Sequence, residues 1–177
     1  MVPKVHDLIE RRLKHLTVDA LQLIQVAAVA GQDFSVALAM QVMQRSALDL
    51  APAWRELESA HCLRGESFTH DLVQETTLGT LPLPLARELH RDVADFLTAH
   101  QGEPARLAQH WREAQCWQEA GRCYLQASTH ARHASQRALE ATLAAQAAEC
   151  FDHTNDQPSA FLARQQQCEA AFYVEPF

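Results

Sequence analysis

Val5, Leu8, Ile9, Leu13 and Leu16 recur at intervals of three and four, with Glu10, Arg11, Arg12 and Lys14 between them, which predicts an amphipathic first helix. Thr17 is placed to cap a second, with Asp19 in its first turn. From Leu21 to Ala30 that helix is apolar almost all round, so it belongs at the centre of a core, and Gly31 closes it. A third helix, opened by Asp33 or Ser35, carries Val36, Ala39, Met40 and Met43. A fourth, from about Leu50, has Pro52 in its first turn and Trp54, Leu57 and His61 on one stripe.

The pattern then changes. Leu63-Arg64-Gly65-Glu66 reads as a tight reversal in which Gly65 supplies a positive φ, and Phe68 lies on a short extended piece. His70-Asp71 opens the next helix, with Asp71 complementing its positive end. Phe68 and Leu72 are expected to anchor the backbone on either side, so that His70 is held rigidly at a strand-to-helix junction. Three helices followed by a hairpin is the order of a winged helix-turn-helix. Leu81-Pro82-Leu83-Pro84 breaks the chain, and the helix beyond it carries Leu85, Leu89, Val93, Phe96 and Leu97 on one face.

Gln101-Gly102-Glu103-Pro104 marks the main internal boundary. After it, 104–115 and 117–134 read as two antiparallel helices joined around Cys116, with Ala108, Trp111, Ala114, Trp117, Ala120, Gly121, Tyr124 and Ala127 interlocking. Pro104 to Ala138 comes close to the tetratricopeptide period of ~34 residues. A second unit is expected over 136–152 and from about Ser159 to Tyr173, divided by the Thr154–Pro158 loop. The expected organisation is therefore a winged-helix-like domain (1–81), a linker helix (82–101) and tetratricopeptide-like repeats (102–177). The fold class is all-α with one small β-hairpin. Two repeat units are too few to stand alone, and the tail from Val174 to Phe177 carries no capping helix, so the chain reads as part of a longer protein. An apolar face left near Phe177 would favour self-association.

Composition sharpens this. Hydrophobic residues make up 47% and there are only 5 glycines, as suits a helical protein. A net charge of −7 argues against a dedicated nucleic-acid binder, which needs clustered Lys and Arg. The five cysteines form no C-x-x-C pair and leave one over, so reduced thiols in the cytoplasm fit best. No run is long and apolar enough to suggest a membrane span. The glycines at 31, 65, 79, 102 and 121 are scattered singly, and no G-x-x-x-x-G-K-[ST] occurs, so this chain is not expected to bind and hydrolyse ATP alone. His130 and His133 share a helical face but lack an acidic or Cys ligand nearby, and no acid, base and nucleophile converge. Neither a metal, a cofactor nor a catalytic residue is assigned.

An ordered set of short patterns does carry a resemblance. Ile9-Glu10-Arg11-Arg12-Leu13-Lys14-His15-Leu16 precedes Ala27-Ala28-Val29-Ala30-Gly31-Gln32-Asp33-Phe34; then come Leu57-Glu58-x-Ala60, Phe68-x-His70-Asp71-Leu72, Leu89-His90-x-x-Val93-Ala94 and Ala108-x-His110-Trp111-x-x-Ala114. Together, from about Val5 to Ala127, these resemble the segment that follows the nucleotide-binding module in STAND-class P-loop ATPases, the large signalling regulators of the LuxR/MalT-like and adenylate-cyclase-associated kind. The resemblance implies a winged-helix domain and repeats that sense a protein or small-molecule inducer, with ATP or ADP bound by a module upstream of Met1. Thr69-His70-Asp71-Leu72 is similar to the Met-His-Asp motif of related nucleotide switches, with Thr in place of Met. It implies that His70 contacts the β-phosphate of ADP and that Asp71 fixes the turn or the imidazole tautomer. Trp111, Trp117 and Tyr124 are the expected partner-binding residues of the repeats. Two other readings stand beside this one. In a stand-alone helical-repeat adaptor, His70 would cap its helix and bond the hairpin backbone. In a winged-helix DNA binder, the 50–61 helix would enter the groove, although Arg55 and Arg64 face Asp49, Glu56, Glu58 and Glu66.

Overall fold

The computed structural model describes residues 5–172; Tyr173 and the tail from Val174 to Phe177 lie outside them. Among the described residues the chain is ten α-helices and one two-stranded hairpin. It divides into two compact units, Met1–Val93 and Ala94–Phe177, and the division falls inside the helix expected as a linker.

The first unit is built around α2 (Val18–Ala30), which buries eight of its residues, including Leu23, Ile24, Val26 and Val29. Each such side chain contributes about 1.5–3 kcal/mol when fully buried. α3 (Val36–Met43), α4 (Ala47–Ser59) and α5 (Asp71–Thr80) pack on α2, and α1 (Val5–Lys14) packs on α5 through a face containing Ile9 and Leu13. The caps are legible residue by residue. The Thr17 hydroxyl accepts from the Ala20 N–H (3.4 Å), Gly31 at φ 58° returns its N–H to Ala27, and Ser35 rather than Asp33 caps α3.

Two expectations shift. α4 starts at Ala47, because Ser46 and Asp49 form a reciprocal capping box, and Pro52 consequently stands in the second turn. It is tolerated there because it is exposed, so the carbonyl that loses its donor is open to water. The apolar face expected of α6 (Leu83–Ala99) is also shorter than its pattern: Val93, Phe96 and Leu97 are buried, but Leu85 is 57% exposed.

In the second unit α7 (Pro104–Glu113), α8 (Trp117–His133), α9 (Arg137–His153) and α10 (Gln157–Phe172) each pack chiefly on their neighbours in sequence. The turns between them are three residues long, too short for anything but antiparallel neighbours. All three use the same device: Gln115, Ser135 and Asn155 adopt positive φ (60°, 60° and 55°). The N–H that follows each of them returns to the preceding helix, Cys116 to Trp111, Gln136 to Ala131 and Asp156 to Phe151 (2.9, 2.9 and 3.0 Å). α8, α9 and α10 therefore begin 20 residues apart, at Trp117, Arg137 and Gln157. The spacing near 34 describes α7 to α9 only.

The core of this array is small-residue packing around two aromatics, Tyr124 and Phe151, with Ala120, Ala127, Ala147, Ala160 and Ala163 filling the spaces. Gly121 is part of it: a Cβ there would meet the Phe151 ring at 2.8 Å.

Candidate functional site

The junction singled out by the sequence is rigid in its backbone. β1 (Leu63–Arg64) and β2 (Ser67–Phe68) pair antiparallel with Leu63 opposite Phe68, and Gly65 turns between them at φ 58°. The hairpin tip is held by two carboxylates. Glu66 accepts from the Val36 N–H at the start of α3 (2.9 Å), and Glu58 of α4 accepts from the Gly65 N–H (3.2 Å). At the exit of β2, Thr69 donates its N–H to the Cys62 carbonyl (3.1 Å) and its hydroxyl to the His61 carbonyl (2.6 Å). Thr69 thus clamps the strand end to the residues that follow α4.

His70 comes next, as the N-cap residue of α5 with extended backbone (φ −152°, ψ 141°). Only its main chain caps: its carbonyl accepts from the Val73 N–H (2.9 Å), while the imidazole is exposed and makes no capping bond. Asp71 is exposed in the first turn, and no hydrogen bond joins it to His70. Leu72 is 47% exposed, so the anchor on the helical side is Val73, at 2%. The helical register explains this shift: one position later places the side chain toward α2, where Gln74 also reaches back to the Ala28 carbonyl (3.0 Å).

The three aromatics of the second unit separate. Trp111 is half-buried; Trp117 is half-buried and stacks on His153 of α9 at 4.0 Å. Tyr124 is 1% exposed, with its hydroxyl bonded to Arg112, so it braces α7 against α8 and does not present a surface. Burial raises the Tyr124 pKa against the opposing pull of that arginine. The loop between α9 and α10 is tied to α8 by Gln118, which donates to Asp156 and accepts from Thr154, both at 2.8 Å.

One group was not foreseen. Glu140, with a fully buried side chain, occupies the register position held by Ala120 in α8 and Ala160 in α10. Arg132 donates to it from Nε (2.6 Å) and Arg137 from a terminal nitrogen (2.8 Å), while Arg132 also reaches Glu169 of α10 (2.6 Å). Burial alone would raise the Glu140 pKa, but the two guanidinium groups outweigh it and hold the carboxyl below its usual range. An open cavity of about 360 Å³ lies beside them, lined by Arg132, Arg137, Glu169 and Phe172, and both of its arginines are already engaged by carboxylates. Only its burial marks Glu140, and Arg137-x-x-Glu140 in sequence reads as an ordinary surface pair.

Burial raises the thiol pKa values of Cys62, Cys123 and Cys150, the last to about 11, which leaves all three protonated at neutral pH. Among the described residues no three His, Cys, Asp or Glu side chains converge as a metal ion would require, and no helix is long and apolar enough to cross a membrane. No family model, curated protein or solved structure matches the chain.

Proposed function

We propose that this chain is a non-catalytic regulatory and interaction segment of a STAND-type signalling ATPase acting in the cytoplasm. On this reading the first unit is a winged helix that closes on a nucleotide-binding module. The second is a tetratricopeptide-like array that receives a protein or small-molecule inducer. The observation that carries it is the mounting of His70: a backbone clamped by Thr69 and the α5 N-terminus, with an exposed imidazole that makes no capping bond to its own helix. A side chain mounted in that way is poised to donate to an acceptor brought in from outside, and a β-phosphate oxygen of ADP is the acceptor the resemblance implies. ADP bound through His70 would favour a closed state; ATP with inducer would favour an open one, by shifting populations between two pre-existing forms.

The rival readings have their own observations. DNA binding would rest on α4, whose open groove is lined, among the described residues, by Val36, Ala47, Leu50, Ala51, Trp54 and a single cation, Arg55, while the acids of the hairpin region are committed to holding it in place. That is a poor surface for a phosphate backbone. An adaptor role for the repeats alone keeps the second unit and removes the role of His70.

Calorimetric titration of ADP into the chain joined to its nucleotide-binding module, wild type against His70→Ala, decides between them. The exposed position of His70 leaves the fold intact on truncation. A loss of about tenfold in affinity, ~1.4 kcal/mol, is expected. Unchanged affinity in a folded variant refutes the switch and moves the search to the repeats.

A further inference from the structure

α4 closes on a left-handed residue. His61 takes φ 51°; its N–H returns to the Glu58 carbonyl (3.0 Å) and the Cys62 N–H to the Leu57 carbonyl (2.9 Å). The carbonyls that leave this turn, those of His61 and Cys62, are both met by Thr69. Its hydroxyl lies 2.6 Å from the first and 3.4 Å from the second, and its N–H donates to the second at 3.1 Å. A hydroxyl has a single proton to give. The bond that the side chain adds is therefore the short one to His61, and the Cys62 carbonyl keeps the backbone N–H without it.

The other ties of the hairpin act farther from His70. Glu58 and Glu66 hold it at the tip, across β2 from His70, and a strand of two residues transmits little of that anchoring. Thr69 is joined to His70 by one rigid peptide plane. Its hydroxyl fixes the N-terminal side of His70 against α4, while the Val73 N–H on the His70 carbonyl (2.9 Å) fixes the other side in α5. Branching at Cβ leaves Thr69 few rotamers, so its hydroxyl is held on His61 at small entropic cost.

We infer that Thr69 is a positioning residue: by holding the His61 carbonyl, its hydroxyl sets the direction in which His70 presents its imidazole to the phosphate of a bound nucleoside diphosphate. Its benefit is preorganisation, because a ring whose backbone is already aimed loses less freedom when the phosphate arrives. The inference rests on the nucleotide reading of His70 given above and adds the residue that aims it.

Thr69→Val keeps the branched shape and removes only the hydroxyl, and the bond it breaks is exposed, so water can take over the His61 carbonyl and the unit stays folded. In the 177-residue chain alone, amide exchange followed by NMR should quicken at least about threefold at positions 69 and 73. Ala20 and Leu38, whose N–H groups are capped elsewhere in the unit, should keep their rates. ADP is then titrated calorimetrically into the chain joined to its nucleotide-binding module. Thr69→Val should weaken binding about three- to tenfold, and Thr69→Ser, which restores the hydroxyl, should recover most of it. In a His70→Ala background the same Thr69→Val change should cost nothing further, because a residue that acts through the imidazole has no effect once the imidazole is gone. Losses that add in the double variant, an unchanged affinity in Thr69→Val beside a weakened His70→Ala, or unchanged exchange at positions 69 and 73 overturn the positioning role and leave the nucleotide reading standing. An unchanged affinity in His70→Ala overturns both.

Discussion

Gly121 gives the sharpest test of the packing. In the middle of a helix, glycine replaced by alanine normally gains about 1 kcal/mol, from backbone entropy lost less on folding. Here an added Cβ would sit 2.8, 2.9 and 3.0 Å from three atoms of the Phe151 ring, about an ångström inside ordinary contact. The ring cannot swing away, because Phe151 is 2% exposed and packs in the aromatic–alanine core of the array. Forcing a methyl into a filled site costs about 1–3 kcal/mol, and three close contacts on one rigid ring place this case in the upper half. Net of the propensity gain, Gly121→Ala should destabilise the second unit by about 1–2 kcal/mol. Urea unfolding followed by circular dichroism reads this as a lower midpoint with an unchanged slope. Phe151→Leu, combined with Gly121→Ala, should lose less than the sum of the two single changes, because the shorter side chain leaves room for the methyl. A stabilised Gly121→Ala protein, or additive losses in the double variant, would refute the close approach of α8 and α9.

The other glycine within a helix provides the opposite sign: Gly79 in α5 has nothing within 4 Å of a built Cβ, so Gly79→Ala should stabilise the first unit by about 0.5–1 kcal/mol in the same assay. Thr76 buries a hydroxyl that has no partner among the described residues, and Thr76→Val, which keeps the shape, should gain about 1 kcal/mol in thermal unfolding. Glu140→Gln should cost about 1–3 kcal/mol, less than a fully buried pair, because Arg132 and Arg137 stay 37% and 35% exposed and can rehydrate. Since the folded state lowers the Glu140 pKa, its contribution is whole above the ordinary glutamate range near ~4.3 and is lost as pH falls through the folded value. Wild type should therefore lose more stability than Glu140→Gln between neutral pH and pH ~3, and parallel losses would show that the pair contributes nothing.

Read from the sequence alone, the chain already fixes most of its local structure. An all-round apolar stretch can only be a central helix, and α2 is that helix. Thr17, Ser35, Gly31 and Gly65 act where their side chains or backbone freedom make them useful, because caps and turns are settled within four or five residues. The hairpin and the helix opened by His70-Asp71 were legible for the same reason. Tertiary structure decided what depends on residues far apart. Whether Leu72 or Val73 faces the core is a choice of one helical step that only α2 makes. From sequence Tyr124 suits both the interlock of its hairpin and a partner surface; the packed structure leaves it 1% exposed with its hydroxyl on Arg112. Glu140 looks like half of a surface ion pair until α8 packs over it and Arg132 joins Arg137 on its carboxylate. The 20-residue register left little trace in composition, since the turns use Gln, Ser and Asn at positive φ instead of glycine, and the repeated positions need only be small enough to let two helices approach.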